Sequence, residues 1–221
     1  AYARIRFVQS RHTSLFRLVH AGSILLWLFL AVSFVLRWYI AARIPLANSY
    51  ETMVFVALCI LSLRIAAPSL RRETGALLPA ACVLLVAHLG ETDPCITPLV
   101  PVLHSPWLSA HVSIIMLSYA MLVLSIIDRR MLKTAVFLLA VGIFLGAVWA
   151  NVSWGSYWSW DPKESWALVT MLVYSLPLHT QSIPWLKSDR AYRIYSVVAL
   201  CCLAMTYWGV NHLLGGMHSY N

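Results

Sequence analysis

The stretch TAVFLLAVGIFLGAVWA, residues 134–150, carries no charge and only one hydroxyl. A run of this kind has no polar face to turn to water, and about 20 such residues cross the hydrocarbon core of a bilayer. Working outward in both directions, comparable runs recur at approximately 18–42, 51–69, 75–90, 107–127, 164–183 and 194–214, separated by short polar or basic stretches. The third is the shortest. With 61% hydrophobic and only 11% charged residues, the chain lies far from the composition of a soluble domain, in which about 25% of residues are charged. Backbone groups in lipid must be bonded within their own segment, and no alternating strand pattern is visible, so the runs are predicted to be helices and not barrel strands. The predicted fold class is all-α: a polytopic transmembrane bundle of about seven spans, six to eight, forming one domain over residues 1–221. No small-residue cleavage site follows a short apolar core at the start, so the first span reads as a retained helix.

Basic residues flanking membrane spans stay on the cytoplasmic side. With the N-terminus inside, that face receives Arg4, Arg6, Arg11, Arg17, Arg71, Arg72, Arg129, Arg130, Lys133, Lys187, Arg190 and Arg193, twelve of the sixteen Lys and Arg residues. Arg37, Arg43 and Lys163 fall outside, and Arg64 falls within the second span. The predicted orientation is therefore N-terminus cytoplasmic and C-terminus external. The formal net charge of +8 follows from this topology and from attraction to anionic inner-leaflet lipid. A nucleic-acid site would gather its cations on one water-exposed face, whereas these are dispersed over four inner segments, so no nucleic-acid partner is expected.

Cys59, Cys82, Cys201 and Cys202 lie in predicted spans as small apolar residues, and Cys95 stands alone in a loop. The absence of any C-x-x-C leaves neither a thioredoxin-type redox motif nor a c-type haem attachment motif in this chain. By alternation the outer face receives residues 43–50, 91–106, 151–163 and the end from about 215. The third of these loops, continued to residue 166, reads NVSWGSYWSWDPKESW. Interfacial belts usually explain one or two rings per helix end; Trp154, Tyr157, Trp158 and Trp160 in one turn-rich loop suit a platform for a large flat ligand better. Asp161 and Glu164 can also cap the following helix, with Pro162 at its first position. Neutral imidazole is the usual axial ligand of haem iron. His104, His111 and His218 stand near the outer surface, with His88 and His212 slightly deeper. Singly, each is a helix-end histidine bonded to backbone or water; as a pair flanking an aromatic loop, they suggest a haem site.

The run Trp154-Gly155-Ser156-Tyr157-Trp158-Ser159-Trp160-Asp161-Pro162-Lys163-Glu164 closely resembles the tryptophan-rich WWD signature of the CcsA/ResC family, the haem-handling subunit of system II cytochrome c biogenesis. The segments Pro45 to Glu51, His111-Val112-Ser113, Gly146 to Asn151, Gly209-Val210-Asn211 and His218-Ser219-Tyr220 resemble the family's in order. The resemblance covers the chain from about residue 43 onward. Related CcmC and CcmF proteins share the tryptophan motif, but Asp-Pro-Lys-Glu after it is closer to the system II form.

The resemblance implies roles. His111 and His218 match the two external histidines that ligate haem iron at the outer site, with Trp154, Tyr157, Trp158, Trp160 and Asp161 around the haem. His179 matches a histidine at an inner haem site; sixteen residues beyond Lys163, it is expected roughly 24 Å below the outer face, near the cytoplasmic end of its helix. The family's second inner histidine belongs to a ResB/CcsB-type partner, and His20, at similar depth, is a candidate substitute. Haem b would be bound and presented to the C-x-x-C-H segment of apocytochrome c, in a bacterial plasma membrane or a thylakoid membrane, with the functional face periplasmic or luminal. The family's inner stretch after the His111 helix is often longer than residues 128–133, His212 occupies a usually apolar position, and the chain reads as a subunit or the membrane portion of a fused protein. A haem exporter without synthase activity would use the same residues. A b-type electron carrier would need paired mid-span histidines on two helices, a pattern the predicted spans lack, and a transporter should show inverted repeats or broken helices.

Overall fold

Asn48, Pro106, Pro162 and Ser188 start helices, and Gly155 and Pro177 end them, by local backbone chemistry. The computed structural model describes residues 2–67, 70, 74–89, 94–96, 98 and 103–214, the side chains of residues 2–13, 211 and 212 excepted. Among the described residues the regular structure is entirely helical: α1 (Tyr2–Ala41), α2 (Ser49–Ala66), α3 (Leu78–Leu89), α4 (Pro106–Leu124), α5 (Met131–Trp154), α6 (Pro162–Ser175) and α7 (Asp189–Ala204). A 3-10 turn, Thr74–Leu77, leads into α3, and α7 continues as a π-helix over Met205–Leu214. Each predicted span therefore corresponds to a helix. Among the described residues five segments are long and apolar enough to cross a membrane: Ser14–Ala41, Ser49–Ala66, Pro106–Leu124, Met131–Trp154 and Asp189–Val210. At 12 and 14 residues, α3 and α6 are shorter. The sixth helix was expected over 164–183 but stops at Ser175, where Leu176-Pro177-Leu178 form a 3-10 turn. Proline has no N–H to continue the ladder and its ring crowds the preceding turn.

The chain divides into two compact units, Ala1–Pro94 and Cys95–Asn221. In the first, α1 and α2 form an antiparallel pair joined by polar bonds across an apolar seam. Arg64 is fully buried and its Nη1 donates to Ser23 Oγ at 2.8 Å; Trp27 Nε1 donates to Ser62 Oγ at 2.7 Å; Phe34 and Phe55 meet with ring centroids 5.5 Å apart. The connection between them is built on Glu51. Asn48 caps α2 by accepting from Glu51 N–H at 2.8 Å. The Glu51 carboxylate, itself wholly buried, accepts from Arg43 Nη1 at 2.9 Å, from Arg37 Nη1 at 3.4 Å and from Ala47 N–H at 2.9 Å. Arg37 also donates to the Pro94 carbonyl at 2.6 Å and lies over the Tyr50 ring.

In the second unit α4 and α5 are an antiparallel pair closed by the turn 125–130. Ser118 Oγ donates to the Ala135 carbonyl at 2.8 Å inside their contact. The turn is fixed from outside: Arg129 donates to the carbonyls of Leu186 and Pro177 at 2.9 and 3.1 Å, its guanidinium lies over Tyr192, and Tyr192 Oη donates to the Ser125 carbonyl at 2.9 Å. Thr170 on α6 and Thr206, at the start of the π-helix, share a buried hydrogen bond of 2.7 Å. Polar bonds thus tie the helices where apolar packing alone gives little orientation in lipid.

Removing a partner from a buried ion cluster leaves an uncompensated charge, at a cost of about 3–5 kcal/mol. Glu51→Ala should therefore lower the thermal midpoint of the purified protein markedly, whereas Glu51→Gln, which keeps an acceptor for Ala47 N–H, should lose less. Thermal unfolding in detergent, followed by tryptophan fluorescence, measures both.

Candidate functional site: the Trp-rich loop and His111

The loop between α5 and α6 is held at both ends by capping. Gly155 ends α5 in the left-handed region, φ 76°, with its N–H on the Asn151 carbonyl at 2.9 Å; a side chain there would strain the backbone by about 1 kcal/mol. At the far end Asp161 is the N-cap of α6, Pro162 takes the first helical position, and Asp161 and Glu164 form a reciprocal capping box. The Asp161 carboxylate accepts from Lys163 N–H at 3.1 Å. Glu164 reaches back along the loop, accepting from Asp161 N–H at 3.2 Å and from Ser159 N–H at 2.8 Å. Between these anchors Trp160 takes φ 58°, a left-handed conformation that a bulky residue adopts only when its surroundings impose it.

These anchors leave the aromatic rings outward. Trp160 is 72% exposed, Tyr157 61% and Trp154 43%, while Trp158 is half-buried and meets Trp160 edge to face at 5.7 Å. Trp149, one turn below on α5 and buried, supports Trp154 edge to face at 6.3 Å. Asp161, in contrast, is buried with its carboxylate committed to the cap.

His111 lies in the second turn of α4 and faces α5. Its Nδ1 is 2.7 Å from the Gly142 carbonyl oxygen. Because a carbonyl only accepts, Nδ1 carries the proton, and the lone pair of the neutral ring is on Nε2. That is the donor chemistry of an imidazole able to hold iron, so the residue present fits a haem ligand. Gly146, one turn further along α5, flanks the same ring: a Cβ built there would fall 2.7 Å from His111 Cε1 and Nδ1. From Gly146 to Trp154 is two turns of helix, about 12 Å, which sets His111 below the loop on the neighbouring helix.

The structure thus brings Trp154, Tyr157, Trp158, Trp160 and Asp161 together on one loop, with His111 on the helix beside it. His179 is elsewhere: it follows the 3-10 turn after α6, exposed, with its N–H on the Leu176 carbonyl at 3.0 Å. The intervening α6 is about 21 Å long. His104 is exposed just before α4. In the first unit, His20 stacks on Phe16 and has a buried Nδ1. His218, Arg71, Arg72 and the side chain of His212 lie outside the described residues. Gly142 and Gly146 carry the Gly-x-x-x-Gly spacing that, within an apolar run, marks a close helix contact.

Because Glu164 holds two loop amides and an N-terminal cap is worth about 1 kcal/mol, Glu164→Ala should speed amide exchange at Ser159 and Asp161 by roughly fivefold. Hydrogen exchange with mass-spectrometric readout over residues 156–164 measures this, with residues 165–175 changing little.

Comparison with known proteins gives the family. The pattern of the family described as cytochrome C assembly protein matches residues 124–218, which contain the loop and α5 to α7. NrfI of Wolinella succinogenes is 36% identical over 216 residues, covering 84% of this chain; the chain spans 24% of the length of NrfI. The cytochrome c biogenesis protein CcsA of Synechococcus sp. (strain CC9902) is 34% identical, covering 87% of this chain and 83% of CcsA. CcsA of Chlamydomonas reinhardtii is 32% identical, with 87% and 65% covered. Together with five long apolar helices, these relationships identify an integral membrane protein that belongs to the CcsA family of cytochrome c biogenesis proteins.

Proposed function

We propose that this chain binds haem b at its outer face and presents it for covalent attachment to apocytochrome c, as the CcsA-type part of a cytochrome c synthase. The observation that carries this reading is the exposed Trp154, Tyr157 and Trp160, on a loop clamped at both ends, above an imidazole whose lone pair is on Nε2. Exposed rings on a fixed backbone offer flat apolar area to a porphyrin with no backbone to order at binding. Family membership supports haem as the substrate class. His111 and His218 are the axial ligands in this reading, and His179 serves an inner haem site on the route to the outer one.

The work of this chain is positioning. Haem is the substrate, and the reaction adds each thiol S–H of a C-x-x-C-H segment across a vinyl C=C, so that sulfur joins carbon, the proton goes to the other vinyl carbon and no oxidant is consumed. No nucleophile from this chain is needed. The Trp-rich loop orients the vinyl edges and excludes water, and the two imidazoles hold the iron. The partners are a ResB/CcsB-type membrane protein, apocytochrome c and membrane lipid, with residues 1–221 acting as one assembly domain. The asymmetry of basic residues supports an inside N-terminus, which places the loop on the periplasmic side of a bacterial plasma membrane or the luminal side of a thylakoid membrane.

His111→Ala and His218→Ala should each weaken haem binding and stop cytochrome c assembly, with added imidazole partly restoring both by occupying the vacant iron position. Haem content and cytochrome yield in membranes, at equal protein level, test this; unchanged values in the double variant would refute the ligand assignment.

Replacing Trp154, Trp158 and Trp160 together with Ala removes contact area worth on the order of 2 kcal/mol per ring. Haem should dissociate faster, while the fraction still bound keeps a bis-histidine absorption spectrum; Trp→Phe changes should be milder. Full occupancy and yield in the triple Ala variant would reduce the loop to an interfacial belt.

A further inference from the structure

His111 and Ile115 are one turn apart on α4, and Gly142 and Gly146 are one turn apart on α5, so the two pairs meet face to face in an antiparallel contact. The glycines are not equivalent. A Cβ on Gly142 would fall 2.5 Å from Ile115 Cδ1, and one on Gly146 would fall 2.7 Å from the imidazole of His111. The Gly142 Cβ would also fall 2.8 Å from Ile115 Cγ1, next to the branch point of a chain that is stiff in a helix. The Gly146 Cβ would press on a rigid aromatic ring already bonded to backbone at 2.7 Å.

We propose that Gly142 and Gly146 are positioning residues for His111: the Gly142 carbonyl fixes the tautomer that puts the lone pair on Nε2, and the missing side chain of Gly146 is the slot that sets the plane of the ring. This inference rests on the reading of His111 as a haem ligand and adds how α5 prepares that ligand. Inside α5 the Gly142 carbonyl also lies opposite Gly146 N–H in the helical ladder, and its second lone pair serves the imidazole. The carbonyl is thus part of a rigid element and cannot rotate away as a side-chain acceptor could. A metal-binding histidine whose other nitrogen donates to a fixed acceptor is oriented and made a stronger donor, and losing such a partner costs 10–100-fold in metal affinity. Here the acceptor is main chain. No side-chain deletion removes it, so the slot at Gly146 is the part of the arrangement that substitution can reach.

The inference predicts different outcomes for a substitution at the Gly146 slot and for one elsewhere in the same helix contact. Full-length protein in nanodiscs, labelled with 15N at histidine and prepared without haem at pH 8, should show His111 as the Nδ1–H tautomer, its signal assigned by its absence in His111→Ala. Gly146→Ala should displace the ring, give mixed tautomers at His111, weaken binding of added haem by 10–100-fold and lose the six-coordinate spectrum, with imidazole restoring the spectrum. Ser118→Ala, which removes another bond of the α4–α5 contact two turns away from the ring, should keep the tautomer and bind haem within about threefold of the unmodified protein. A purely structural role for Gly146 would make Gly146→Ala and Ser118→Ala behave alike and leave the tautomer unchanged. An Nε2–H tautomer at His111 in the unmodified protein overturns the proposal even if neither variant folds. Haem affinity, spectrum and tautomer all unchanged in Gly146→Ala overturn it as well. Haem retained by His111→Ala would instead remove the ligand reading, with the tautomer measurement still deciding whether α5 orients the ring.

Discussion

Where α4 meets α5, Gly142 and Gly146 present no side chain, and Ile115 and His111 occupy the space. In lipid there is no hydrophobic drive between two apolar helices, so close van der Waals contact and interhelical hydrogen bonds supply the association. The contact supplies both, through the aliphatic chain of Ile115 and the imidazole bond to the Gly142 carbonyl. Ser118, two turns from His111, repeats the arrangement with the Ala135 carbonyl. The α4–α5 pair is thereby set in register. The C-terminal end of α5 carries the Trp-rich loop, so the height of His111 below that loop follows from the same contact.

The polar groups buried in the spans follow a consistent logic. Arg64 in α2 would be prohibitively costly in lipid, and it is enclosed with a bond to Ser23 on α1. Trp27 donates to Ser62, and Thr170 to or from Thr206. Each bond joins two helices of the same unit. Glu51 works differently: a wholly buried carboxylate collects two guanidiniums and a backbone amide at the turn between α1 and α2. Hydrogen bonds that satisfy these groups also determine which helix faces meet.

Order in the loop comes from local rules carried by few residues. Gly155 permits the left-handed end of α5, Asp161 and Pro162 start α6, and Glu164 bonds back to Ser159 and Asp161. The left-handed Trp160 is held between them. Exposed apolar rings on a fixed frame are suited to a flat apolar ligand.

The sequence alone determined the membrane class and the helices. Segments such as 134–150 have no polar face, and in lipid the backbone can be satisfied only within a helix. It also determined the cap of α6, because Asp161, Pro162 and Glu164 act on their own chain neighbours. The end of α6 was less legible: the span predicted to 183 stops at Ser175, because Pro177 breaks the helix and the polar residues 179–182 follow. Only tertiary structure decided that His111 faces Gly142 and Gly146, since residues 31 and 35 positions apart are brought together by the turn 125–130 and the packing of two helices. The same holds for the Arg64–Ser23 bond. Composition and periodicity report the solvent a segment prefers, whereas the partner of a polar atom depends on helix register, which is set by the fit of side chains across the whole contact.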